Sequence, residues 1–205
     1  AFPEALGGVI FAENVPEAHA TDLVNRYGDT KLIAGPASVG IFVAQSLKLG
    51  GIGGTDASQI ERSMLTSKGS IAVVSTSGGM TNELIHGVAK SGKGVSFSVA
   101  IGGDRFPVTS LGAIFRMAEE DAETKALAYF GELGGEDEYE IVELLKTGKF
   151  TKPVIAYIAG IIDEAFDELA TAGHLHVVGD DLTMYRHVLG RWWDAHRDGL
   201  DHPMV

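Results

Sequence analysis

Four times between residues 71 and 160 a short apolar run ends in a glycine-rich stop. Ile71-Ala72-Val73-Val74 runs into Ser75-Thr76-Ser77-Gly78-Gly79, and Val99-Ala100-Ile101 into Gly102-Gly103-Asp104. Leu127-Ala128-Tyr129-Phe130 runs into Gly131-Glu132-Leu133-Gly134-Gly135, and Val154-Ile155-Ala156-Tyr157-Ile158 into Ala159-Gly160. Runs this short and this apolar suit strands buried on both faces of a parallel sheet. Helical stripes stand between them: Leu84, Ile85 and Val88 over 81–90, Tyr139, Ile141, Val142 and Leu145 over 136–146, and Ile162, Ala165, Phe166 and Leu169 over 161–172. Regular strand–helix alternation predicts a doubly wound parallel α/β sheet with right-handed crossovers. The glycine stops then fall at the carboxyl ends of the strands, where open α/β sheets collect their ligands.

A smaller strand–helix–strand piece precedes this series. Val9-Ile10-Phe11-Ala12 reads as a strand, 16–26 as a helix opened by Pro16, and Lys31-Leu32-Ile33-Ala34 as a second strand stopped by Gly35-Pro36. Leu49-Gly50-Gly51-Ile52-Gly53-Gly54-Thr55 reads as a flexible crossing loop, with a domain boundary near Lys68. A short strand at 176–178 and a helix over 182–196 close the chain. Its 205 residues suit one large domain or two small ones. A net charge of −12 argues against a nucleic-acid partner, for want of a basic stripe that would release counterions from phosphates. No cysteine is present, which excludes disulfides, thiolate metal ligands and a cysteine nucleophile and fits a reducing, cytoplasmic setting. No apolar run reaches the about 18 residues of a membrane helix, so no membrane partner is expected. None of the seven histidines stands in a His-Glu-x-x-His spacing, and no metal site is expected.

The first stop has the most physical content. It joins a buried strand to a helix, so free backbone amides and the positive helix end meet at the sheet edge. Gly78 and Gly79 would let a phosphate approach, with Ser77 and Thr81 as extra donors; the other reading is an ordinary cap made by Ser77 or Thr81. No Gly-Lys-Ser/Thr follows, so this is not a nucleotide-binding Walker loop. Glu132, between glycines, either orients a catalytic imidazole or is a surface acid at a helix start. Asp104 and Arg105 either bind a ligand carboxylate or pair with each other. Ala12-Glu13-Asn14, with a buried-looking acid, and Pro36-Ala37-Ser38 either line a nucleotide-like ligand or merely turn the chain.

Taken in order, these segments resemble the family of succinyl-CoA synthetase α subunits and ATP-citrate lyase. The resemblance rests on Glu13-Asn14-Val15-Pro16-Glu17, Gly35-Pro36-Ala37-Ser38-Val39-Gly40, Ser75-Thr76-Ser77-Gly78-Gly79-Met80-Thr81-Asn82-Glu83-Leu84, Gly102-Gly103-Asp104-Arg105-Phe106-Pro107, Gly131-Glu132-Leu133-Gly134-Gly135 and Thr151-Lys152-Pro153. It runs from about residue 9 to 160 and more weakly to about 180, and its wording is closer to ATP-citrate lyase. It implies a flavodoxin-like parallel sheet, the CoA-ligase domain, over 68–205. Part of a Rossmann-like CoA-binding domain, lacking its amino-terminal half, would precede it over 1–67. The implied activity is ATP-dependent acid–CoA ligation through an acyl phosphate and a phosphohistidine. Ser77, Gly78 and Gly79 would hold the phosphoryl group. Glu132 would pair with the catalytic histidine and Glu13 would stand beside the CoA thiol. Ala12, Pro36, Ala37 and Ser38 would line the pantetheine. Coenzyme A is the implied cofactor. ATP with Mg would come through an ATP-grasp β-type partner in a hetero-oligomer, and citrate or succinate would be the acid.

The chain departs from the family pattern in two further places. Thr76 stands where the family usually carries arginine. After Ala159-Gly160 it continues at once as Ile161-Ile162-Asp163-Glu164, where the family has a Gly-His-Ala-Gly segment carrying the phosphorylated histidine; none of the seven histidines fits that role. The retained Glu132 and Ser77-Gly78-Gly79 favour an omitted segment over an inactive protein. The competing expectations are a succinyl-CoA synthetase-like subunit acting on succinate or malate, and a non-catalytic CoA-binding scaffold.

Overall fold

The computed structural model describes residues 4–131 and 138–158, and the backbone of 175–178. The expected helices over 161–172 and 182–196 lie outside the described residues. The apolar runs become β5 (Ile71–Ser75), β6 (Val95–Ala100), β7 (Ala126–Gly131) and β8 (Val154–Ile158), each buried along its whole length. With β9 (Leu175–Val178) they pair in parallel in the order β6-β5-β7-β8-β9. Numbered from β5, that is the flavodoxin order 2-1-3-4-5, whose strand direction of growth reverses between β5 and β7. The loops after these two strands therefore flank the switch point.

Period-two alternation sends successive side chains to opposite faces. Ala72, Val74, Leu127, Tyr129, Val154 and Ala156 pack under α4 (Leu111–Glu120) and α5 (Glu138–Lys146). Val73, Ala128, Phe130, Ile155 and Tyr157 form the other face, with Leu84, Ile85 and Val88 of α3 (Gly78–Lys90). Each of those three buried helix side chains contributes about 1.5–3 kcal/mol. α4 is absent from the sequence reading, although Leu111, Ile114, Phe115 and Ala118 repeat at helical spacing and are buried. Ser110 caps it by accepting the Ala113 amide at 3.1 Å.

The glycine-rich stretch at 49–55 is not wholly a crossing loop, because its first residues end a strand. β3 (Gly40–Val43) and β4 (Leu47–Gly50) form an antiparallel hairpin, and β3 pairs antiparallel with β6. The sheet is thus mostly parallel, with an antiparallel edge, and its ladder crosses the boundary expected near Lys68. Glycine hid this hairpin: at Gly40, with φ +137°, a Cβ would collide with the Leu49 carbonyl. α2 (Ala57–Arg62) follows, opened by a capping box of Asp56 and Gln59.

β1 (Gly7–Val9) and β2 (Leu32–Ala34) form a separate two-stranded parallel sheet joined by α1 (Glu17–Tyr27). β1 starts and ends earlier than expected: Phe11 and Ala12 are exposed, and Gly7 lies so close to the Leu32 backbone that no side chain fits there. Val9 and Leu32 pack on the core of the larger sheet, which fixes the two sheets' carboxyl ends side by side. No helix among the described residues is long and apolar enough to cross a membrane.

Candidate functional site

The carboxyl-end loops of β1, β2, β5 and β6 form one continuous edge. The Ala37 amide donates to the Ala12 carbonyl at 2.9 Å, joining the first two loops. The Gly35 amide donates to Ile101 at 2.6 Å, and the Ile101 amide to Ser75 at 2.8 Å. Gly102, with φ +116°, lies flush against the Pro36 carbonyl, where a Cβ would collide. A Cβ on Gly103 would stand 3.9 Å from the Thr76 carbonyl. Gly102 is thus what lets the loops after β2 and β6 close on one another, while a side chain at Gly103 would only touch the loop after β5.

α3 begins at Gly78, three residues earlier than expected, so the paired glycines are its first turn. Ser77 is the N-cap residue, but its side chain makes no capping bond. Thr81 does not cap either: its hydroxyl donates back to the Ser77 carbonyl at 2.7 Å. Ser75 Oγ accepts the Ser77 amide and donates to the Ser77 carbonyl, both at 3.0 Å. The first-turn amides of Gly78, Gly79 and Met80 therefore have no partner within the helix. A Cβ at Gly78 would collide with Val39 Cγ1, whereas one at Gly79 would meet nothing within 4 Å. Gly78 is a packing glycine and Gly79 faces open space. The arrangement suits an anion drawn by open amides and the helix dipole, and the ordinary-cap reading of Ser77 and Thr81 falls away.

Other expected site residues stand on the same edge. Pro36 and Ser38 are buried and Ala37, at φ +59°, is half-buried. Ser38 Oγ donates to Ala100 at 2.6 Å and accepts the Gly40 amide at 3.0 Å, so its hydroxyl is already used in holding the loop. Glu13 is a correction, because it is exposed rather than buried: the chain leaves β1 before reaching it. Asp104 and Arg105 do not pair. The Asp104 carboxylate accepts the Asn14 amide at 3.3 Å and the Val15 amide at 3.0 Å, tying the loop that carries Glu13 to the loop after β6. Arg105 lies with its guanidinium carbon 5.3 Å from the Phe106 ring centroid. The Thr76 hydroxyl oxygen is buried without a hydrogen-bond partner. Glu132 lies outside the described residues, directly after Gly131 in the sequence.

One buried acid escaped the sequence reading. Glu138, the first residue of α5, is 6% exposed and accepts the Tyr129 hydroxyl at 2.8 Å. Gly131 is packed against both groups. Tyr139, expected in the inner stripe of α5, is instead 53% exposed. The signal was available: Glu138, Ile141, Val142 and Leu145 keep the i, i+3, i+4, i+7 spacing, with an acid in an apolar place.

Comparison with known proteins bears on this edge. The CoA-ligase family model matches residues 74–178. "ATP-citrate synthase beta chain protein 1" of Oryza sativa subsp. japonica is 39% identical over 166 residues, which are 80% of this chain and 27% of that protein. The chain thus spans about a quarter of the length of the curated relatives it matches. An ATP citrate lyase from Methanothrix soehngenii, in complex with citrate and coenzyme A, matches with a TM-score of 0.84 at 28% identity, over 97% of this chain and 37% of that one. A mutant ATP citrate lyase of Methanosaeta concilii, in complex with (3S)-citryl-CoA, matches with a TM-score of 0.86 at 28% identity, over 97% of this chain and 36% of that one.

Proposed function

The chain belongs to the CoA-ligase family, and from that premise we propose that it is a portion of an ATP-dependent acid–CoA ligase of the ATP-citrate lyase type. The observation that carries the reading is the uncapped first turn of α3, open to solvent at Gly79, beside the β5–β7 switch point. An oxyanion is what such a turn stabilises. Ser77, Gly78 and Gly79 hold a phosphoryl group there, delivered through an acyl phosphate and a histidine. Glu132 orients that histidine. The loops carrying Ala12, Pro36, Ala37 and Ser38 line coenzyme A through their backbone, since the Ser38 hydroxyl is engaged. Glu13 reaches the thiol end from its exposed place on the loop that Asp104 ties down.

Residues 1–67 supply the CoA-binding part and 68–205 the ligase part, with the β3–β4 hairpin stitched to the latter. ATP with Mg comes from an ATP-grasp β-type partner. Citrate is favoured over succinate by the relatives. A second reading, a CoA-binding subunit without catalysis, is favoured by the run from Ala159-Gly160 straight into Ile161, which leaves no histidine in the family's place. The test is acyl-CoA formation from citrate, CoA and ATP-Mg by the chain, with the family's Gly-His-Ala-Gly segment restored after Gly160, together with an ATP-grasp partner. Turnover is expected under the first reading. CoA binding without turnover selects the second, and neither binding nor turnover overturns both.

A further inference from the structure

The Asp104–Arg105 turn divides two charges between two tasks. Asp104 spends its carboxylate on the Asn14 and Val15 amides, 90 and 89 residues away in the chain. Those adjacent amides, with Asn14 at φ +55°, form a concave donor pair of the kind that holds an anion. With its neighbour so engaged, Arg105 forms no ion pair among the described residues. It is exposed, and the Phe106 ring at 5.3 Å gives its guanidinium a surface to lie on. In a chain of net charge −12, Arg105 is the one cation among the described residues of the loops at 12–15, 35–39, 76–80 and 101–106. A planar, always-charged fork with five donors, held at a ligand edge and with no carboxylate partner among the described residues, suits an oxyanion better than lysine would.

We infer that Arg105 is a ligand-recognition residue that takes an oxyanion, a carboxylate of the acid or a phosphate of CoA, at the edge built by the four loops. This rests on the functional reading above. Asp104 serves it by anchoring the loop at 12–15 with a carboxylate that forms no ion pair with Arg105.

The test is calorimetric titration of the full chain, wild type, Arg105→Gln and Arg105→Lys, with citrate in one arm and coenzyme A in the other. The amide spectrum of each protein verifies the fold, and an exposed side chain leaves it unchanged. Arg105→Gln is expected to weaken one of the two ligands by about 10-fold or more, and Arg105→Lys to recover only part of that loss. The weakened arm identifies the oxyanion's source. Should Arg105→Gln misfold, Arg105→Lys decides: a weakened arm supports the inference and wild-type affinity in both arms overturns it. Equal affinities of wild type and folded Arg105→Gln in both arms overturn the role of Arg105 and leave the functional reading standing. A wild-type chain that binds neither ligand overturns both together.

Discussion

Gly78 and Gly79 are neighbours in sequence with opposite surroundings, and substitution separates their roles. Gly78→Ala drives a methyl into Val39 and is expected to cost about 1–3 kcal/mol, read by denaturant unfolding. Gly79→Ala meets nothing and replaces glycine in a helix, so it is expected to raise Tm by about 2–4 °C. The same methyl covers an open amide, so inorganic phosphate should bind Gly79→Ala more weakly than wild type; unchanged binding would make Gly79 a structural residue only. Glu119 supplies a pH-dependent case. Burial pushes its carboxyl up, but hydrogen bonds from the Thr151 hydroxyl and amide and the Lys152 amide, with the Lys152 charge, outweigh burial and hold it below the ordinary carboxylate value. Its stabilisation is therefore complete above that ordinary value and is lost as pH falls through the lower folded one. Glu119→Gln is expected to melt below wild type at neutral pH, with the two curves converging in acid. A gap that persists at low pH would assign the effect to packing instead.

At the scale of elements, the ligase sheet was legible because its strands announce themselves: five-residue runs such as Ile71–Ser75 and Val154–Ile158 have no polar face to confuse the period. The hairpin of β3 and β4 was not, because Gly40 and Gly50 are required by close backbone approach and read in one dimension as loop. Glycine misled in the other direction at α3, where Gly78 and Gly79 look like a turn and are helix. The loops of the candidate site were legible as strand ends, but not which partner each polar group takes. Asp104 bonds across some 90 residues to Asn14 and Val15, a pairing that no local pattern encodes. α5 bears on α4 in the same non-local way: Glu140 accepts the Gly112 amide at 2.8 Å and stands 3.8 Å from Arg116. Glu140→Ala leaves a first-turn amide of α4 without that acceptor and is expected to cost about 1–2 kcal/mol in denaturant unfolding. Arg116→Ala, touching only the exposed ion pair, should cost under about 1 kcal/mol. Equal costs would place the link in the ion pair and not in the cap.

Across the described residues, two sheets present their carboxyl ends along a single edge, held together by main-chain bonds, the Ser38 hydroxyl and the Asp104 carboxylate. Under the proposed reading, that juxtaposition lets a CoA-borne thiol attack the acyl carbon of an acyl phosphate while the departing phosphate rests at the first turn of α3. The CoA loops come from one sheet and the phosphate site from the other. Under the proposed reading this edge, and no other surface, takes the ligand. The most direct measurement is an amide-resolved NMR titration of the chain with coenzyme A. The expected result is saturable shifts confined to residues 12–15, 35–39 and 101–106, extending to Gly78, Gly79 and Met80 when inorganic phosphate is added. Saturable shifts that leave those loops untouched and gather at the opposite ends of the strands would contradict it.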